Sequence, residues 1–595
     1  MQQFQALIYT SDIQNKNLYE AIATYQTALA ILISKLHANP ILYEVHNNIL
    51  TRFLSENANV FLNKLKQSEC SSDVNNFQNI YNEMLKLSND SLNAWHRSNI
   101  NFLQSFCTKT HEKHEPINFL NAMQSYNKDI LKIIQENVSR TLDDYIQDSN
   151  PTASFLYNEF NKVFDSKNIP FLNDELLKNK SYENLLKGAK MFLHDVQSSP
   201  NGYFIINTVN ANAFELGKNI AATPGKVVFQ NELLQLICYD NVSETVYKTP
   251  IFIVTAWINK YYILDLEYSY VKWLVNNGYR VFITSWVNPT ESMRNENLAS
   301  YLQNGLLAAL SAVKELSHSN EVNCIGYCMG GTLLAIAAAY LSTKGMKDIK
   351  SITLLTTLTD FERCGPVKMF ITNEMLKTIE SHMEKQGYIS GYDMFSTFSI
   401  LKSSDMMWYY FVNKYVLGKE VSAIDVLYWN ADSTRIPYAL HKDCLRHLYQ
   451  NNLLASGKLE LSNEKIDLSA IKCPIYFFAT EDDHIAPWQS VYKGLNLCKN
   501  STNKRFILSK SGHVAAVINH PNKNKYGYWS NDSKQNKKMS DNPNEWLNTA
   551  QYNIGSWWND WHNWMQSYNG EKIPLIPIPP EKIIENAPGS YVKVT

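Results

Sequence analysis

No sign of charge is in excess in this 595-residue chain: 55 Lys and Arg stand against 56 Asp and Glu. A balanced surface has no global field to gather nucleic acid or an anionic membrane, and neither is expected as a partner. Long apolar runs are missing too. The densest, Leu333–Leu341, is about half of what a bilayer-spanning helix needs, so no transmembrane segment is expected. Met1–Lys16 lacks a basic stretch followed by an apolar core, so no secretory signal is expected. The nine cysteines form no CxxC pair and are odd in number. That pattern fits reduced thiols in a cytoplasm better than a disulfide framework. Histidines such as His37, His111, His114 and His194 show no metal-ligand spacing with Cys or carboxylates, so no metal is expected.

What is present is a large globular composition, 45% hydrophobic, in a chain too long for one ordinary domain. Residues 1–195 read as a helical N-terminal domain. Apolar side chains recur at three- and four-residue steps in Leu18–Leu36, Phe53–Leu65, Phe77–Leu87 and around Ile130–Ile134. From about 196 to 595 the grammar is that of an α/β domain with a mostly parallel sheet. Buried-strand candidates are Pro250–Val254, Tyr279–Thr284, Val322–Ile325, Ser351–Leu355, Pro474–Phe478 and Phe506–Leu508. Helical patterns at Tyr268–Asn276, Leu298–Leu316 and Gly331–Leu341 alternate with the first of them. The stretch from about Phe361 to Ile471 interrupts the strand series and reads as a cap or lid insertion, rich in aromatics such as Trp408-Tyr409-Tyr410 and Tyr428-Trp429.

The sharpest chemical signal is Gly326-Tyr327-Cys328-Met329-Gly330-Gly331, lying between a strand and a helix. Small residues two before and two after the central one allow the tight turn of a nucleophile elbow, as in α/β-hydrolase folds. Cys328 would stand above the strand end. The Met329 amide, at the helix N-terminus, would face a developing oxyanion. In that fold an acid and a base follow on loops after late strands. Glu481-Asp482-Asp483 comes after one, and Ser511-Gly512-His513 after the next. The order Cys328, acid, His513 is thus met. The pattern alone does not choose among Glu481, Asp482 and Asp483. His484 and His520 compete less well with His513, and His520, before Pro521 in an Asn- and Lys-rich loop, reads as a solvated surface residue.

These residues resemble the polyhydroxyalkanoate synthases, in particular the class I poly(3-hydroxybutyrate) polymerases. Matching stretches are Asn259–Leu266, Ser285–Pro289, Gly326–Thr332, Leu427–Arg435, Asp483–Trp488, Ser511–Asn519, Gly555–Trp558 and Ala587–Lys593. The resemblance implies a catalytic triad of Cys328, Asp483 and His513, since the family's acid directly precedes the His of this loop. It implies oxyanion amides at Met329 and Ile258, with Trp257, Asn259 and His484 close to the substrate. It further implies an (R)-3-hydroxyacyl-CoA substrate, 3-hydroxybutyryl-CoA foremost, and no cofactor beyond the CoA thioester itself. The expected partners are the growing polyester chain, the granule surface, granule-associated proteins and a second copy in a homodimer. The N-terminal region is the family's variable domain, linked to granule or partner binding. One departure concerns Thr255-Ala256, which stand where the family has two prolines. Lys260 and Arg435 lie in matching stretches and read as structural ion-pair residues. The elbow itself also fits a Cys-dependent thioesterase or polyester depolymerase, and a granule-binding scaffold is the non-catalytic alternative.

Overall fold

The computed structural model of the chain describes residues 182–200 and 203–595 apart from 524 and 532–539. Before residue 182 it describes only 21, 24, 28, 162, 165–168, 173 and 175. The four helical patterns expected before residue 140 therefore lie outside the described residues, except for Ala21, Thr24 and Ala28, which are helical. Cys70, Cys107, His37, His111 and His114 lie outside them as well.

The chain packs as two units, Met1–Asn207 with Ser403–Val421, and Thr208–Lys402 with Ser422–Thr595. In the first, helix α1 (Tyr182–Ser198) carries Leu185, Ala189, Phe192 and Val196 on one buried stripe. The i, i+4, i+7 spacing of that stripe is why the segment is an amphipathic helix. It packs with Tyr415, Val416 and Leu417, so part of the stretch between strands belongs to this core. At its centre the buried Asp195 carboxylate accepts hydrogen bonds from Lys414 Nζ and from Tyr415 Oη at 2.6 Å.

The second unit is built on an eleven-stranded sheet. Its strands are β1 (Gly225–Gln230), β2 (Leu234–Tyr239), β3 (Ile251–Val254), β4 (Val281–Trp286), β5 (Val322–Tyr327), β6 (Ile349–Leu355), β7 (Ile475–Thr480), β8 (Lys504–Ser509), β9 (Tyr528–Ser530), β10 (Gln551–Asn553) and β11 (Glu585–Asn586). Their spatial order is 10-9-8-7-6-5-3-4-2-1-11. Strands β3 to β8 form the parallel centre, and β1, β2, β9, β10 and β11 add antiparallel edges. Every residue of β3, β4, β5 and β7 is buried. Helices cover both faces of a parallel sheet, which is why these strands read as unbroken apolar runs rather than alternating ones.

The crossovers supply the helices. Helix α2 (Tyr270–Asn276), started by the Ser269 side chain accepting from the Lys272 amide, joins β3 to β4. Between β4 and β5 runs Leu298–Ser317, whose middle, Tyr301–Leu307, is π-helical. There the Tyr301 ring stacks on Trp286 at 5.0 Å, and a Cβ on Gly305 would meet the Trp286 ring at 2.9 Å. Helix α3 (Met329–Thr343) follows β5 and is buried from Met329 to Leu341, a mostly apolar core helix in which the buried Thr332 hydroxyl donates to Leu358 O. No helix among the described residues is long and apolar enough to cross a membrane.

Candidate active site

The parallel strands of an open α/β sheet end together, and loops leaving their C-terminal ends converge. Three such loops carry the residues singled out in the sequence. Cys328 follows β5, Asp483 follows β7 and His513 follows β8.

Cys328 adopts φ 54°, ψ −125°, a conformation that costs an L-residue free energy and that only surrounding structure can hold. Several contacts hold it. The Cys328 amide donates to Leu355 O at 3.0 Å, the Cys328 carbonyl accepts from the Gly331 amide at 2.9 Å, and Thr357 Oγ1 donates to the same carbonyl at 3.3 Å. The glycines are required by close approach. A Cβ on Gly326 would lie 2.3 Å from Gly331 Cα, and one on Gly330 would lie 2.4 Å from Val254 O. Met329 opens α3, so its N–H belongs to the first turn, where no intrahelical acceptor exists.

Asp483 and His513 meet directly, with Asp483 Oδ2 2.7 Å from His513 Nδ1. The other carboxylate oxygen accepts the Ile485 and Ala486 amides, both at 2.8 Å. Glu481 and Asp482 are exposed, whereas Asp483 is buried. The geometry thus separates three neighbours that the sequence pattern left open. The Cys328 sulfur stands near enough to His513 to favour its charged form, and the His513 ring lies 5.7 Å from the Tyr327 ring. Burial disfavours the imidazolium, but the Asp483 carboxylate and the Cys328 sulfur outweigh it, and His513 is pushed up to about 10. Its loop is held from the C-terminal region. The indoles of Trp557 and Trp558 donate to Ala516 O at 2.9 Å and to Val517 O at 2.8 Å.

The other singled-out residues fall into place as follows. Trp257 is buried, and Ile258 and Asn259 are half-buried, on the loop leaving β3. This loop abuts the elbow, since a Cβ on Gly330 would also lie 2.5 Å from Thr255 O. Thr255, one of the two residues that depart from the family's prolines, is fixed by hydrogen bonds. Its amide and hydroxyl bond Thr284 Oγ1 and O at 3.0 and 2.9 Å, and its carbonyl accepts from Trp286 Nε1 at 2.8 Å. His484 turns its backbone to the stretch between β6 and β7, where its carbonyl would meet a Cβ on Gly365 at 2.5 Å. His520 is not a solvated residue: it is half-buried, with its ring 5.2 Å from Trp558 and 5.8 Å from Tyr268. Lys260 forms an ion pair with Asp432 at 2.7 Å. The Arg435 guanidinium donates to Thr595 O at 3.0 Å and lies over the Tyr388 ring. No metal-binding cluster occurs among the described residues.

Two residues near the site carry no local sequence signal. Tyr449, from the stretch between β6 and β7, places its hydroxyl 4.0 Å from Met329 Sδ, and burial followed by the nearby Cys328 sulfur raises its phenol well above the usual range. Thr434 donates to Trp257 O at 2.8 Å. Only the presence of a matching run at Leu427–Arg435, far from the elbow in sequence, hints that this segment touches the site.

Comparison with known proteins agrees with the geometry. Residues 104–274 match the family model described as the poly-beta-hydroxybutyrate polymerase (PhaC) N-terminus, and residues 249–519 match the alpha/beta hydrolase fold. The chain is 38% identical over 448 residues to the poly(3-hydroxyalkanoate) polymerase subunit PhaC of Rhizobium meliloti, covering 74% of this chain and 72% of that one. It is 37% identical over 468 residues to the poly(3-hydroxyalkanoate) polymerase of Methylorubrum extorquens, covering 77% and 76%. The PhaC subunit of Cupriavidus necator is 35% identical over 429 residues, covering 70% and 71%. Relatives this similar over this much of both chains, on the same fold, settle the kinship: the chain belongs to the poly(3-hydroxyalkanoate) polymerases, acyltransferases built on the α/β-hydrolase fold.

Proposed function

We propose that the protein polymerises (R)-3-hydroxyacyl-CoA, 3-hydroxybutyryl-CoA foremost, into polyester through an acyl thioester on Cys328. The observation that carries this reading is the Asp483–His513 pair facing a sulfur on a strained elbow, in a chain of polymerase kinship.

His513 holds as imidazolium the proton that Cys328 gives up, and the sulfur, left as thiolate, attacks the thioester carbonyl. The new C–S bond forms as the bond to CoA breaks, and the departing CoA sulfur takes the proton from His513. One thioester replaces another, so the acyl group stays activated. His513 then takes the proton of a 3-hydroxyl on a second acyl group, whose oxygen attacks the carbonyl held on Cys328. An oxoester forms, the C–S bond breaks and the electron pair returns to sulfur. Asp483 keeps His513 in the tautomer that presents its other nitrogen to the thiol. The amides of Met329 and Ile258 are the proposed donors to the oxyanion of both steps. Trp257 and Asn259 line the loop beside it, and His484 adjoins the acid.

Water is the competing nucleophile, so the site must exclude it, and the covering segment between β6 and β7 is assigned that role. The protein is proposed to act as a homodimer at the surface of its polymer granule in the cytoplasm, with the N-terminal region meeting granule or partner; family membership supports this part. Incubation with (R)-3-hydroxybutyryl-CoA, following free thiol and turbidity together, tests the reading. Thiol release with rising turbidity is expected; thiol release with soluble 3-hydroxy acid would make the protein a hydrolase, and no thiol release would end the reading.

A further inference from the structure

The Trp257–Ile258 peptide lies in the middle of a turn between β3 and the Tyr261–Leu264 helical turn. The central peptide of such a turn is the one that can flip with little disturbance of its flanks, because the common turn types differ by that rotation. In a trans peptide the carbonyl of one residue and the N–H of the next point in opposite directions. The direction of the Trp257 carbonyl therefore decides where the Ile258 N–H points.

That carbonyl has a partner from far along the chain. Thr434 Oγ1 donates to it at 2.8 Å, and both residues are 3% exposed, so no water competes for the bond. Around it the same segment grips the loop three times more. Trp429 Nε1 donates to Lys260 O at 2.7 Å, and Lys260 Nζ pairs with Asp432. An isolated bridge joins Asn259 to Ser433. Ile258 itself stays out of the left-handed region. The flipped turn would drive this β-branched residue to a positive φ of about +80°.

We propose that Thr434 is a positioning residue for the oxyanion site: by holding the Trp257 carbonyl it aims the Ile258 N–H at the thioester oxygen. This rests on the acyl-transfer reading given above and deepens it. The oxyanion site is then complete only while the segment Trp429–Thr434 is seated on the loop, so the covering segment and the chemistry are coupled through one hydroxyl. Such a bond stabilises the transition state and not the bound substrate, so its loss lowers the rate without weakening binding.

The test is Thr434→Val, which keeps the shape and removes the donor, in the full-length protein. First-turnover CoA release from (R)-3-hydroxybutyryl-CoA is expected to slow roughly tenfold or more, with the half-saturating concentration within about twofold of wild type. Alkylation of Cys328 by iodoacetamide forms no oxyanion, and its rate is expected to be unchanged. Thr434→Ser, which restores the hydroxyl, should recover most of the acylation rate. A wild-type acylation rate in Thr434→Val would overturn the inference. So would an equal fall in alkylation rate, or a Thr434→Ser protein as slow as Thr434→Val. Failure of the wild-type protein to release CoA at all would instead overturn the proposed function, and the inference with it.

Discussion

Asp483 divides its carboxylate between two tasks: Oδ2 meets His513 Nδ1 at 2.7 Å, while Oδ1 accepts the Ile485 and Ala486 amides. The amide bonds fix the carboxylate, so the imidazole inherits a fixed orientation. Asp483→Asn can keep the shape but offers the ring an amide in place of a charge. CoA release in the first turnover should persist in part. Elongation, where His513 must strip a proton from a hydroxyl far less acidic than a thiol, should fall by roughly 10³–10⁴. Separate measurement of first-turnover CoA and of polymer mass checks this; an unimpaired variant would move the acid elsewhere.

Cys328→Ala removes the sulfur while leaving the elbow's backbone contacts. Both polymer and CoA release should vanish, a loss on the order of 10⁶ for a covalent nucleophile. The intact mass of wild-type protein quenched early should rise by one or more hydroxyacyl units, and that of Cys328→Ala should not. Substantial turnover by the variant contradicts the proposed nucleophile.

His513 also marks the pH dependence of stability. Its folded value is pushed up to about 10, against about 6.5 for a free imidazole. Between these limits the folded state holds a proton that the unfolded state has released, so stability falls as pH rises. The contribution is full below about 6.5 and gone above about 10. Melting curves of wild type and His513→Gln from pH 6 to 10 should therefore converge as pH rises. A constant gap across that range would show that the imidazole is not held protonated.

Much of the site was legible in the sequence because its parts are local. The elbow needs small residues at fixed offsets from Cys328, and the six parallel strands are buried on both faces, so each reads as a short apolar run. What was not legible depends on distant partners. Strands β1 and β2 pair antiparallel at one edge, and β11 returns to β1 from some 360 residues away, as in Lys226 opposite Asn586. The helix expected over Leu298–Leu316 is interrupted by a π-helical stretch where Tyr301 stacks on Trp286, a neighbour in space and not in sequence. Asp483 could not be told from Glu481 and Asp482 by pattern, since only the folded loop buries one and exposes two. Ser403–Val421 lies between strands of the sheet in sequence, yet its Lys414 and Tyr415 bind Asp195 more than two hundred residues earlier.

Gly330→Ala should damage activity beyond its cost in stability. The added Cβ would lie 2.4 Å from Val254 O and 2.5 Å from Thr255 O, both backbone atoms that cannot swing aside. The elbow and the loop after β3 must then move apart, at a cost of roughly 1–3 kcal/mol. That movement separates the two proposed oxyanion amides. First-turnover CoA release should fall by more than tenfold under conditions where circular dichroism still reports folded protein, a tenfold change being about 1.4 kcal/mol. An alanine variant with wild-type kinetics would place the oxyanion site away from this junction.

The ion pair beside Thr434 makes a prediction of the opposite kind, about stability more than chemistry. Lys260 Nζ lies 2.7 Å from Asp432, with the lysine side chain 3% exposed and the aspartate 15%. Tyr262 Oη donates to the other carboxylate oxygen at 2.7 Å. Asp432→Asn keeps an acceptor for Tyr262 but strands a buried ammonium, and removing one member of such a pair costs roughly 3–5 kcal/mol. Replacing both members, as in Lys260→Met with Asp432→Asn, removes the stranded charge and should recover most of that loss. Thermal midpoints of the two single variants and the double variant supply the comparison, the double variant being the more stable despite carrying more changes. A double variant no more stable than Asp432→Asn would mean that the lysine finds water or another partner when its carboxylate is gone, and that the segment is held on the loop chiefly by Trp429 and Thr434.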